Sequence, residues 1–198
     1  MEPDGNRRLR YGPDRHLNCK RHYFITTLNC ARFLMKFFYT LIFLFSFVSI
    51  FAQTSFPEKC LGIWAGTMHI YYRGSLVDSV PIKLNVTRTN APDTFIWKTE
   101  YLSTKNPMVK DYKLVISDAS KGVFKTDEGD GIFLIDYLFE NKLYSVFETQ
   151  GILLTSTYEW LGNQIIFEVT SGKELQTTHG VKSYSVLNLQ KAVLRKIN

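Results

Sequence analysis

The chain has 198 residues, 45% of them hydrophobic and 21% charged, with a formal net charge of +6. That length holds one domain and hardly two. Residues 1–52 carry eight of the 24 Lys/Arg and three of the 18 Asp/Glu, so +5 of the charge lies there. The remainder is close to neutral, which removes the electrostatic argument for a nucleic-acid partner.

Residues 1–34 are Arg-rich and unpatterned, and they precede a second methionine, Met35. From Met35 the chain reads MKFFYTLIFLFSFVSIFAQ: a short basic start, an apolar run from Phe37 to Phe51, the small residue Ala52, then polar Gln53. This is the layout of a secretory signal peptide over residues 35–52. The run is shorter than the roughly 20 residues that a spanning helix needs. We therefore expect a translation start at Met35, cleavage before Gln53, and a periplasmic or secreted product without a membrane span. The alternative keeps residues 1–34 as a cytoplasmic tail before an uncleaved anchor. Past Ala52 only Cys60 remains, so residues 53–198 hold no internal disulfide. Cys60 reads as a small buried hydrophobe.

Beyond Leu61 the apolar period is two. Trp64, Gly66, Met68, Ile70 and Tyr72 fall on one face of a first strand, and Arg73-Gly74-Ser75 turns. Leu76 to Thr89 forms a second strand in which Pro81 requires an edge or a bulge. Thr94–Ser103 and Val109–Ser117 follow, then a short strand from Gly122 to Lys125. Asp127-Glu128-Gly129-Asp130-Gly131 is a polar turn. Ile132–Phe139 pairs with Leu143–Gln150, and Ile152–Trp160 pairs with Gln164–Thr170. A polar loop leads to a closing strand over Val181–Lys196. Consecutive hairpins with no βαβ spacing predict an antiparallel meander. Free edges on so long a sheet invite aggregation, which favours closure. The expected fold is all-β: an antiparallel up-and-down barrel of about ten strands over residues 53–198.

Gly62-Ile63-Trp64 on the first strand of such a barrel resembles the calycin pattern of lipocalins and their relatives. The resemblance implies that Trp64 closes one end and that a basic residue near the end of the last strand, here Arg195, packs over it. Gly62, Trp64 and Arg195 then have a structural role, with a cation–π contact of about 0.5–2 kcal/mol. More widely, PDTFIWK (Pro92–Lys98), VKDY (Val109–Tyr112), GIFLID (Gly131–Asp136), LYSVFETQGILLTSTYE (Leu143–Glu159) and AVLR (Ala192–Arg195) resemble bacterial lipocalin-like proteins of unassigned activity.

Four acids, Asp136, Glu148, Glu159 and Glu168, sit mid-strand among apolar residues. Paired carboxylates with separated pKa values do acid–base work, whereas alternate strand positions face water. Asp136 and then Glu148 are the candidate inward carboxylates; a structural pair with a Lys, Arg or Tyr is the other use of such a group. His69 and His179 are the histidines past residue 53, and a haem barrel would need one of them as axial ligand. The first-strand features of such barrels are absent, so no cofactor is expected. Two histidines without a cysteine cluster argue against zinc. DEGDG lacks the spacing of a calcium loop and reads as a hairpin turn.

Trp97, Tyr101, Tyr112, Phe147, Tyr158 and Phe167 occupy the apolar faces of successive strands. They fill a solid barrel or wall the pocket of a hollow one; both need the same pattern. The leading expectation is an exported barrel binding a small hydrophobic ligand. A filled envelope or interaction protein comes second, and an enzyme using Asp136 third.

Overall fold

The computed structural model describes residues 54–177 and 179–197. The N-terminal extension, the signal peptide and its cleavage point lie outside the described residues. Among those described, no helix is long and apolar enough to cross a membrane.

Ten antiparallel strands close into an up-and-down barrel: β1 (Gly62–Tyr72), β2 (Ser75–Arg88), β3 (Thr94–Tyr101), β4 (Met108–Asp118), β5 (Val123–Gly129), β6 (Ile132–Phe139), β7 (Lys142–Thr149), β8 (Ile152–Trp160), β9 (Gln164–Lys173) and β10 (Asn188–Lys196). Each strand pairs with its neighbours in sequence, and β10 closes on β1. The expected lipocalin-like architecture is thus observed.

Local chemistry explains the joints. At Arg73–Gly74 both residues have positive φ, 49° and 80°. That matches the two-residue turn whose twist suits a hairpin. Pro81 pairs with Thr67 on β1, while its carbonyl accepts from Leu102 N just past the end of the β2–β3 ladder. Carbonyl and nitrogen of one residue point to the same side of an antiparallel strand, so the missing N–H falls where no ladder partner is lost. At Gly66 a β-carbon would lie 2.3 Å from the Val193 carbonyl oxygen, so glycine lets β10 approach β1.

Two boundaries and one added element differ most from expectation. β5 runs on to Gly129, so the DEGDG turn shrinks to Asp130–Gly131. The closing strand begins at Asn188 rather than Val181. The preceding segment holds one isolated bridge, Glu174↔Tyr184, and crosses Gly172 closely enough to exclude any side chain there. Finally, a short helix α1 (Phe56–Lys59) precedes β1. Its signals were in the sequence: Ser55 before the helix, Pro57 in its first turn, and acidic Glu58.

Helix α1 stops one end of the barrel. Phe56 is buried and stacks on Trp97 at 6.1 Å, with Phe124 edge-on at 6.4 Å. Trp64 is fully buried and donates from Nε1 to the Cys60 carbonyl at 2.7 Å. Leu84, Val86, Ile165 and Leu194 complete this dry plug. Outside, Glu58 forms a two-pronged ion pair with Arg88, and Lys59 lies over the Trp160 ring.

The basic residue over Trp64 is Lys196, not Arg195. Lys196 is the register partner of Trp64, and its Nζ lies 5.5 Å from the ring centroid. Arg195 pairs with Ala65 and is exposed on the outer face. The reason is parity: successive strand residues point to opposite faces, so a shift of one residue turns the side chain outward. Gly62, with φ at 120°, opens β1 opposite Val86.

Candidate functional site

Above the plug the barrel is hollow. A cavity of about 310 Å³ is bounded by β3 through β10. Ten strands enclose a wider lumen than eight, and eight are just filled by their own side chains. The solid-barrel alternative therefore holds for one end only.

All six aromatics singled out from the sequence, Trp97, Tyr101, Tyr112, Phe147, Tyr158 and Phe167, line this cavity. The parity of β3, β4, β7, β8 and β9 points them inward. Trp97, Tyr158 and Phe167 form its floor against the plug. Tyr158 meets Trp97 edge-on at 5.2 Å and stacks on Phe167 at 4.3 Å with the rings nearly parallel. Burial pushes the Tyr158 hydroxyl's pKa well up, and the nearby Tyr101 adds to this. It is a neutral phenol at any physiological pH.

Between the aromatics lie polar side chains that sequence reading passed over: Thr99, Lys110, Thr126, Glu128, Ser145 and Ser156. Lys110 had a signal, since it stands two residues before Tyr112 and so shares its inward face. Its Nζ donates to the Tyr112 hydroxyl at 3.0 Å. Burial would lower the Lys110 pKa, but Tyr112, Tyr101 and Glu128 outweigh it and hold the ammonium charged. Tyr101 is pushed up by burial, with Lys110 pulling the other way.

Asp136 is the one fully buried carboxylate of the described residues, 1% exposed, on the cavity wall. Its Oδ2 accepts from Thr126 Oγ1 at 2.6 Å. Ser145 faces it directly across the β6–β7 ladder with a buried hydroxyl. Burial raises the Asp136 pKa, and the neighbouring hydroxyls pull it partly back.

This ladder has a further feature. β6 and β7 are paired only from Asp136↔Ser145 to Phe139↔Lys142. Beyond Asp136, Ile132–Ile135 pairs only with β5, and Val146–Thr149 pairs only with β8. The two strands part there, at the end away from the plug, with cavity residues Leu134 and Phe147 on either side. The outer rim of the split is apolar: Ile132, Phe133, Ile135 and Val146 are all exposed.

Other candidates lie outside the cavity. Glu148, the second candidate carboxylate, is exposed on the outer face of β7 with Tyr144 and Val146. The apolar residues on its face were the outward set, because this part of the barrel carries hydrophobic side chains on its surface. Glu159 and Glu168 also face outward, each 3.4 to 3.9 Å from the Lys142 ammonium, with Lys191 on Glu168 at 2.8 Å. His69 is exposed and contacts Ser79 at 2.9 Å, and His179 is exposed in the 174–187 loop. Neither lines the cavity. In the DEGDG segment, Glu128 turns into the cavity while Asp127 accepts from Gly129 N, so their oxygens do not converge on an ion. Cys60 is fully buried, and burial pushes its thiol up to about 12. It is inert as a nucleophile.

The S-type phycobiliprotein lyase from Guillardia theta shares this fold. Its TM-score is 0.54 at 10% sequence identity, over 72% of this chain and 91% of that one. A protein of unknown function from Nostoc punctiforme, of the DUF3598 family, gives 0.53 at 11% identity over 71% of this chain. That likeness spans 49% of the Nostoc protein's length. At such identities the likeness is one of fold alone. No family model and no curated protein matches the sequence.

Proposed function

We propose that this chain is an exported binding barrel that holds one small, mainly apolar molecule in its open half. The observation that carries the reading is the cavity itself, aromatic at its floor and walls, with a few convergent polar groups. At about 310 Å³ it is near the lower end of the 300–1,000 Å³ common for small-molecule sites. A compact ligand or one alkyl chain suits it better than a bulky ring system. The phycobiliprotein lyase, which shares the fold, is named for an activity on a phycobiliprotein.

Titration with a fluorescent fatty-acid probe tests the proposal. Binding quenches Trp97, which lines the cavity, and leaves Trp64 in the plug unaffected. The quench is therefore lost in Trp97→Phe while probe binding remains. Failure of a panel of apolar probes to bind contradicts the reading.

Export rests on the Met35–Ala52 segment. Its test is N-terminal sequencing of protein recovered outside the cytoplasm, with Gln53 as the expected first residue. A retained apolar segment contradicts cleavage.

One observation favours a second reading. An enzyme of the barrel interior needs a carboxylate in the cavity beside another polar group, and Asp136 with Thr126 and Ser145 meets that requirement. Turnover abolished by Asp136→Asn, with probe binding intact, is the result that would favour it over a pure carrier.

A further inference from the structure

We infer that Asp136 is the polar reading head of the cavity: the bound molecule is an apolar compound bearing a hydroxyl or N–H donor that the Asp136 carboxyl accepts. This rests on the binding reading above and adds the ligand's polar group to it.

The argument starts from what a buried carboxylate needs. Removing a charge from water is costly unless it is paired and hydrogen-bonded. Asp136 is as buried as the plug residues, yet it forms no ion pair with any Lys, Arg or His of the described residues. Thr126 supplies one hydrogen bond, to Oδ2. The Ser145 hydroxyl and the Thr126 backbone lie close enough to favour the charged form, but neither brings a positive charge. Ser145, opposite in register, keeps a buried hydroxyl without a partner. A carboxylate without a cation and a hydroxyl without a full partner thus sit side by side on the wall of a hollow space. Unsatisfied buried polar groups are rare in folded proteins and call for a specific explanation.

Position supports the same conclusion. Asp136 and Ser145 form the last pair of the β6–β7 ladder before the strands part. A molecule entering by the split passes Leu134 and Phe147 and meets these two groups where the split closes, with the aromatic floor beyond. The opposite charge lies elsewhere: Lys110, bonded to Tyr112 on β4, is the cavity's ammonium. A carboxylate head would be drawn to Lys110, whereas a hydroxyl or N–H is what Asp136 accepts. A purely structural role would need only the Thr126 bond tying β5 to β6.

A matched pair of probes separates these cases: 2-naphthol, which carries the donor, and 2-methoxynaphthalene, which does not. Equilibrium dialysis against the purified barrel measures both. A hydrogen bond to a charged group contributes about 1.5–3 kcal/mol, so naphthol is expected to bind roughly 10- to 100-fold tighter than its ether. Asp136→Ala abolishes that preference while the ether's affinity stays within about threefold. Asp136→Asn, which keeps the shape and one acceptor, is the second variant and retains part of the preference. If wild-type protein binds both probes equally, or Asp136→Ala keeps the preference, the inference is overturned and the binding reading stands. If neither probe binds, the binding reading fails and takes the inference with it.

Discussion

The two ends of this barrel are built from the same alternating strands and do opposite things. At the α1 end, Phe56, Trp64, Leu84, Ile165 and Leu194 are packed together and all at most 2% exposed. At the other end, the same inward positions of β3 to β10 carry Tyr101, Lys110, Thr126, Ser145 and Ser156, and enclose a cavity. The difference lies less in strand geometry than in what fills the lumen. One end has an extra element, the helix α1, whose Phe56 enters the barrel; the other end has none among the described residues, and one seam of its wall is unzipped between β6 and β7. Stability and binding are thereby separated along one axis.

That division has consequences that differ in size. Phe56→Ala removes the ring that joins α1 to Trp97 and Phe124, and is expected to cost about 3–5 kcal/mol, measured by chemical denaturation. Ser156→Ala, at the hollow end, is expected to stay within about 1 kcal/mol. Comparable losses from both would erase the distinction between the ends.

Asp136 gives a smaller effect with a definite sign. Its carboxyl titrates higher in the folded protein than the ordinary 3.8 it has in the unfolded chain. Between those two values the unfolded state binds fewer protons, so stability falls as pH rises through the folded pKa. Asp136→Asn has no such loss. The stability of the variant relative to wild type should therefore increase as pH rises above about 4, read from paired denaturation curves. A constant difference across that range contradicts a raised pKa.

The smallest effect concerns the seal over Trp64. Lys196→Met removes the ammonium from the indole face and is expected to cost about 0.5–1 kcal/mol. Arg195→Met, on the outer face, should change stability by less than about 0.5 kcal/mol. The reverse order would return the seal to Arg195.

Much of this was legible in the sequence, for one physical reason: a closed sheet writes its inside and outside in alternate letters. The inward placement of all six aromatics and of Asp136 followed from that parity. Where parity was assigned from hydrophobicity alone it failed at Glu148, because Tyr144 and Val146 beside it are apolar yet exposed. The Arg195–Lys196 error came from the same source, since a family pattern fixes the neighbourhood of a residue but register fixes its face. Val181 and Val186 imitated a strand, yet both are more than 60% exposed. The hollow end was not legible at all. Whether aromatic side chains meet or stand apart depends on strand number and on Phe56 occupying one end only, and neither is encoded locally.

Methyl-detected NMR of the labelled barrel, titrated with an apolar probe such as 2-naphthol, tests the division of the barrel most directly. Leu134, Leu143, Leu154 and Val169 line the cavity, while Leu84, Val86, Ile165 and Leu194 belong to the plug. The account predicts saturable shifts for the first group and unchanged signals for the second. Saturable shifts centred on the plug methyls, or none in either group, would contradict it.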